Sequence, residues 1–144
     1  VFDKLDAALA KAVMSIGAVK AVEIGDGIQV STRRGSSNND AFIIKDGKVA
    51  KETNHAGGIL GGISDGSAII LRAHVKPTPS IFQKQHTVNR QGEEIEIAIK
   101  GRHDPVVVPR AVVVVESMVA ITLLDAMLTN MGARVENLAK IYGK

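Results

Sequence analysis

"GRHDPVVVPRAVVVV", residues 101 to 115, joins a charged turn to the most apolar segment of the chain. Arg102, His103, Asp104 and Arg110 stand here beside an almost unbroken run of valines. Charge next to a core is costly unless it is paired or serves a ligand. The stretch therefore bears on both the fold and the function, because it predicts where a core helix begins and where a site lies.

The long apolar helix is predicted to begin at Pro109, which suits the first turn because it has no amide hydrogen to lose there. The chain then stays apolar almost all round to Asn130, and Gly132 can end the helix. A helix that is apolar on every side is expected to be buried on every side, with Glu116 neutralised by a partner. The charges at Glu116 and Asp125 interrupt the apolar run, which argues against a membrane span.

The remaining elements follow from periodicity and turn residues. Apolar residues at helical spacing predict a first helix over 2–16 that Gly17 ends, and a short helix is expected over 134–144. Two strands are expected around Gly25-Asp26-Gly27, and a hairpin around Asp46-Gly47. Because the strands precede the long helix without a β-α-β rhythm, the sequence predicts an α+β fold, with helices packed between antiparallel sheets.

Composition narrows the classes of function. The chain has 144 residues, no cysteine, 3% aromatic residues and a net charge of +3. Disulfides and thiolate chemistry are excluded, and scattered basic residues without aromatics argue against nucleic acid and favour small anionic ligands. His55, His74 and His86 lack an i, i+4 partner, so no metal site is predicted. The N-terminal residues lack the pattern of a signal peptide.

Three segments are candidate sites, and each has a structural alternative. The glycine-rich run from Ala56 to Gly66 allows close approach to a ligand, or is an irregular loop or bulged strand pair. The rigid segment Lys76-Pro77-Thr78-Pro79-Ser80 suits an anionic headgroup, or is a crossover after a strand. Arg102-His103-Asp104 offers a phosphate-binding fork and acid–base groups, or is a surface turn with a local Arg–Asp pair.

Four segments in this order resemble the C-terminal part of chorismate synthase: "VFDKLDAALAKAVMSIGAVKAVEIGDG", "NHAGGILGGISDG", "KPTPSI" and "GRHDPVVVPRAV". The resemblance extends from Val1 to about Met131. The chain departs from the family pattern at Ala21, Val106 and Val113, where the family usually has Gly, Cys and Pro. Each departure keeps a small or apolar residue and removes no charged group.

The resemblance implies that residues 1–144 are the C-terminal part of a single domain, without the N-terminal part that carries two general-acid histidines and substrate-binding arginines. It implies a β-α-β sandwich, a homotetramer and a cytoplasmic location. The implied reaction is a 1,4 anti elimination of phosphate from 5-enolpyruvylshikimate 3-phosphate, which gives chorismate and requires reduced FMN. Whether the parent enzyme reduces its own flavin with NADPH stays open.

Site residues carried over from the family divide into one catalytic acid and a set that touches the flavin. Asp104 corresponds to the acid near the flavin, which assists proton removal. The implied flavin-binding residues are Gly17, Ala18, Gly61, Lys76, Pro77, Thr78, Pro79, Ser80 and Arg102. The alternative is that the isolated chain acts only as a non-catalytic flavin-binding or oligomerisation module.

Overall fold

The computed structural model describes residues 3–102 and 104–143, so His103 lies outside the described residues. The helices are α1 (Leu5–Met14), α2 (Val108–Gly132) and α3 (Val135–Tyr142). The strands are β1 (Val19–Ile24), β2 (Phe42–Lys45), β3 (Lys48–Lys51), β4 (Ile59–Leu60), β5 (Ile63–Ser64), β6 (Leu71–Val75), β7 (Gln85–Val88) and β8 (Glu94–Ile97). Two 3-10 helices cover Gly27–Thr32 and Gly35–Ser37.

The buried core lies on one face of α1. Leu9 and Val13 are completely buried, and their four-residue spacing puts both on the same side of the helix. Val19 at the start of β1 and Ile59 in β4 complete the buried apolar set of the described residues. Because α1 contacts both β1 and α2, it lies between the β1–β6 pair and the long helix.

Among the described residues the strand pairs are all antiparallel: β1 with β6, β2 with β3, β4 with β5, and β7 with β8. This mixture of helices and antiparallel strands confirms the α+β prediction. The hairpin predicted at Asp46-Gly47 is also confirmed, with φ angles of 52° and 73° that fit a tight two-residue turn.

The prediction of a second strand after Gly25-Asp26-Gly27 is wrong. Residues Gly27–Thr32 form a 3-10 helix, and Ile28 is 73% exposed. The Glu23 carboxylate accepts a hydrogen bond from the Ile28 amide at 3.3 Å, which turns the chain away from the extended direction. β1 pairs instead with the distant β6, so the turn residues do not join two paired strands.

α2 begins and ends where the sequence predicts, but it is less buried than the sequence predicts. Pro109 lies in the first turn and Gly132 is the last helical residue. No residue of α2 is fully buried, and Glu116 is exposed, so the prediction of a helix buried on every side is wrong for the described chain. The reason is that α1 and α3 are its principal neighbours and leave most of its circumference uncovered.

α2 is also long and apolar enough to cross a membrane when only its length and composition are considered, with a mean hydropathy of 2.1 over its most apolar window. A core helix of a soluble protein passes the same test, so the finding is weak support for a membrane helix.

Candidate functional site

The β1–β6 pair brings together two of the predicted segments at one end. Val19 lies opposite Val75, and the Lys76 amide donates a hydrogen bond to the Ala18 carbonyl at 2.7 Å. Antiparallel pairing therefore places the residues just before β1 beside those just after β6.

A cavity of about 390 Å³ opens at this junction. Its walls consist of Ala18, Lys20, Lys76, Pro77, Thr78, Pro79 and Val107. Its volume is in the range of small-molecule sites, which is about 300–1,000 Å³. Five of its seven lining residues belong to the set predicted to touch a flavin, and they come from two segments far apart in the sequence.

Ala18 holds an unusual backbone conformation at the edge of this cavity. Its φ angle of 70° lies in the left-handed region, which residues with a β-carbon rarely adopt. The Val19 amide donates to the Ile16 carbonyl at 3.2 Å and the Ala18 carbonyl accepts from Lys76, so contacts on both sides fix the turn. Such strained residues persist where the surroundings hold them, often at binding sites.

Thr78 contributes an unsatisfied hydroxyl. Its Oγ1 atom is buried and has no hydrogen-bond partner among the described residues. Buried polar atoms are nearly always paired, so an orphaned hydroxyl between two prolines needs an explanation. A polar ligand in the cavity would supply the missing partner only after the Thr78 side chain turned towards it, because the oxygen has no exposed surface in this structure.

The cavity wall is cationic. Lys20 and Lys76 belong to it, and none of its seven residues is acidic. Cations, an orphaned hydroxyl and apolar proline and valine surfaces together fit an anionic ligand with a flat apolar body. FMN has this chemistry, so the residues present fit the cofactor that the resemblance implies.

Arg102 and Asp104 are linked to the cavity only through the chain: Val107, three residues beyond Asp104, forms part of the wall. Neither side chain lines the cavity itself. The Asp104 carboxylate pairs with the Arg110 guanidinium at 2.6 Å, and the two side chains are 45% and 77% exposed. Asp104 thus pairs with an arginine of α2, outside the Arg102-His103-Asp104 segment.

Gly61 lies away from this cavity. It is the first residue of the two-residue turn between β4 and β5. The second residue of this turn, Gly62, accepts a hydrogen bond from the Leu5 amide at 2.8 Å. Leu5 begins α1, whereas Gly17 and Ala18 follow its C-terminal end. Since α1 has 10 residues, the two ends are about 15 Å apart.

Gly17 and Ser80 adjoin the cavity in sequence, next to Ala18 and Pro79, but do not line it. The structure therefore brings together Ala18 and the Lys76–Pro79 segment. Sequence reasoning missed Lys20 and Val107. Ala18 precedes β1 and Lys20 lies at its bulge, so simple strand alternation does not indicate Lys20.

Two other glycines of the run, Gly57 and Gly58, serve backbone packing. A β-carbon on Gly57 would overlap the backbone of Gly25, and one on Gly58 would lie 2.6 Å from the Ala68 carbonyl oxygen. These positions, and the positive φ angles of 64° and 77°, require glycine without any ligand. The irregular-loop alternative describes this part of the run.

A charged cluster supports the loop around the two 3-10 helices. The Asp26 carboxylate contacts the Arg33 guanidinium at 2.7 Å and the His55 ring at 2.6 Å. Burial would raise the pKa of Asp40, but the Ala56 amide at 2.9 Å and the Thr53 hydroxyl at 2.7 Å stabilise its charged form, so the pKa is lowered. The pair with Asp26 gives Arg33 a structural role within this exposed loop.

A second ion pair joins the β2–β3 hairpin to the glycine-rich segment. The Lys51 ammonium contacts the Asp65 carboxylate, and their side chains are only 6% and 12% exposed. The hydrogen bond from Lys51, with that from the Ser67 amide at 2.9 Å, lowers the pKa of Asp65 to about 2. This pair holds the hairpin against the rest of the fold.

A larger groove, of about 800 Å³, lies between α1, β5 and the C-terminal half of α2. It contains none of the residues predicted to bind cofactor. Within residues 3–102 and 104–143, no group of three His, Asp or Glu side chains is arranged to hold a metal ion.

The sequence and the fold both match a known family. Residues 1–128 match the family model described as chorismate synthase. The chain belongs to the chorismate synthase family. It is 65% identical over all 144 residues to a chorismate synthase of Agathobacter rectalis, and 62% identical over 129 residues to one of Archaeoglobus fulgidus.

A crystal structure of a chorismate synthase superposes with a TM-score of 0.69 at 35% identity, covering 90% of this chain and 32% of that one. The bacterial match covers 39% of its relative's length and the archaeal match, which includes 89% of this chain, covers 36%. The chain thus spans about two fifths of the length of the chorismate synthases it matches.

Proposed function

We propose that this chain supplies the flavin-facing wall of a chorismate synthase, which converts 5-enolpyruvylshikimate 3-phosphate to chorismate and phosphate with reduced FMN. The observation that supports the proposal is the cavity where Ala18 meets Lys76, Pro77, Thr78 and Pro79. The cytoplasmic location and the homotetramer are proposed with it, on the resemblance alone.

The residues of the wall would hold the cofactor by complementary chemistry. Lys76 offsets negative charge, the Thr78 hydroxyl gains a hydrogen-bond partner, and the prolines give a rigid apolar surface that loses little entropy on binding. Reduced FMN, when bound, supplies electron chemistry that amino-acid side chains lack. Arg102, five residues before Val107 in the sequence, would add a second type of cation for phosphate.

Asp104 is proposed to assist removal of the proton during the elimination. A carboxylate is a usable base, and at 45% exposure it remains accessible to a reactant. The Arg110 guanidinium contacts one carboxylate oxygen, so the proton would be taken by the other oxygen or after the pair opens. Pro109 and the first turn of α2 anchor the segment that carries both residues.

The alternative role as a non-catalytic binding or oligomerisation module is favoured by one observation. α2 exposes large apolar side chains on much of its length, such as Val113 at 64%, Ile121 at 62% and Leu128 at 62%. Extended apolar patches of this kind mark interaction surfaces.

The experiment that separates the two roles places these 144 residues in the Agathobacter rectalis protein, in exchange for its matching segment. Formation of chorismate and release of phosphate are then measured with reduced FMN. The proposal predicts a turnover rate within about tenfold of that of the parent relative. A tenfold change in rate corresponds to a change of only about 1.4 kcal/mol in the activation free energy. A folded chimera that binds FMN but forms no chorismate would instead support the non-catalytic role.

A further inference from the structure

We propose that Lys20 is a second anion-binding residue of the cavity, and that Lys20 and Lys76 together form a cationic clamp for a phosphate monoester. The inference rests on the proposed function, and it adds a residue and a ligand class to that site.

A β-bulge places Lys20 in the cavity. Val19 pairs with Val75 and Ala21 pairs with His74, so Lys20 is the extra residue of β1 without an opposite partner. Bulges redirect side chains and occur often beside active sites. Val19 points into the core at 3% exposure, so the neighbouring Lys20 lies on the other face, together with Ala18 and Lys76.

The clamp is available to a ligand because nearby carboxylates are engaged elsewhere. On the same face, Glu23 contacts the His74 ring at 3.4 Å and accepts from the Ile28 amide. Arg72 donates to the Gly25 carbonyl and is therefore held away from the cavity. Within the described parts of the chain, neither Lys20 nor Lys76 forms an ion pair with a protein carboxylate.

Two lysines without acidic neighbours match a doubly charged ligand. A phosphate monoester carries about −1.5 to −2 charge at pH 7, whereas a carboxylate carries a single charge. Lysine binds phosphate as a compact point charge and does not need the planar geometry that arginine requires. The Thr78 hydroxyl, whose oxygen is buried in this structure, would add a polar contact for a phosphate oxygen if its side chain turned towards the cavity.

The test compares the wild-type chain with Lys20→Gln and with Lys48→Gln, in which an exposed lysine of the β2–β3 hairpin loses the same charge. Three probes are titrated: FMN, riboflavin, which has the same ring without phosphate, and inorganic phosphate. FMN and riboflavin are followed by fluorescence, and phosphate by calorimetry and by competition against FMN. Circular dichroism checks that the variants fold.

The clamp predicts that Lys20→Gln weakens binding of at least one phosphate-bearing probe by about three- to tenfold, and leaves riboflavin unchanged. Lys48→Gln should bind all probes like the wild type. If inorganic phosphate competes with FMN, the clamp binds the phosphate of the cofactor. If inorganic phosphate binds at the same time as FMN, the clamp binds the phosphate of a phosphorylated substrate.

The inference is overturned if Lys20→Gln weakens neither phosphate-bearing probe, or weakens riboflavin to the same extent. A wild-type chain that binds phosphate through Lys20 but binds no FMN would contradict the proposed cofactor role and leave the clamp standing. If FMN and phosphate each bind equally well with and without Lys20, the clamp is wrong and the proposed cofactor role stands.

Discussion

The backbones of Gly25 and Gly57 pack directly against each other, so closely that a β-carbon on Gly57 would overlap the nitrogen of Gly25. The Gly25 amide donates to the Ile70 carbonyl at 2.9 Å, and the Ile70 amide donates to the Gly57 carbonyl at 3.2 Å. Three distant segments therefore meet through main-chain atoms alone, which leaves no space for a side chain.

Gly57→Ala is expected to lower the free energy of unfolding by about 3–5 kcal/mol, because it combines a positive φ angle with a backbone overlap. Gly47→Ala is the matched control, since Gly47 has a φ angle of 73° with open space around it. It should cost about 1 kcal/mol from the φ angle alone. Urea unfolding measures both values, and equal losses in the two variants would show that the Gly25–Gly57 contact is unimportant.

The Lys51–Asp65 pair predicts a specific pH dependence. The pKa of Asp65 is lowered from 3.8 to about 2, chiefly by the hydrogen bond from Lys51. A lowered pKa means that the folded chain binds the proton more weakly than the unfolded chain, so the stabilisation is complete above about pH 4 and is lost as the pH falls towards 2.

Asp65→Asn should therefore be less stable than the wild type at pH 6, and the difference should shrink between about pH 4 and pH 2. Thermal or urea unfolding of both proteins across this range measures it. Asp46→Asn, at an exposed hairpin turn, is the control. A stability difference that stays constant down to pH 2 would rule out the ion pair as its source.

Asp104→Asn in the chimera should reduce turnover by about 10²- to 10⁴-fold, as expected when a general acid–base group is removed. Stability should change by less than about 0.5 kcal/mol, because the pair with Arg110 is exposed. Arg110→Gln breaks the same pair but leaves the carboxylate, so it should retain most of the activity. If Asp104→Asn turns over like the wild type, Asp104 has no part in proton transfer.

The sequence predicts elements whose causes are local. Pro109 and Gly132 mark the ends of α2, and the Asp46-Gly47 turn specifies its hairpin through positive φ angles. The strand expected after Gly27 fails because a side chain, that of Glu23, captures the Ile28 amide. A contact of that kind depends on where the side chain lies in three dimensions, and turn propensities contain no information about it.

Burial of α2 could not be judged from its composition. An apolar circumference indicates that a helix needs cover, but the pattern does not say whether the same 144 residues provide it. Here they provide it on the side of α1 and α3 only, and Glu116 remains exposed.

The site was predictable in part. The residues of the Lys76–Pro79 segment and Ala18 were named from the sequence, yet their meeting depends on the register of β1 with β6. The same register, with its bulge, brings in Lys20, which sequence reasoning did not select. Gly61 lies at the other end of α1, a separation that follows from the hydrogen bond between Leu5 and Gly62.

The most direct test of the central claim, that the Ala18–Lys76 cavity receives the flavin, is FMN titration of Thr78→Val beside the wild type. The substitution replaces an orphaned hydroxyl with a methyl group of similar shape, so stability should stay equal or rise slightly. FMN binding should weaken by about three- to tenfold. Thr87→Val, on β7 outside the cavity, should change neither property. Unchanged FMN affinity in Thr78→Val, or a marked loss of stability instead, would contradict the account.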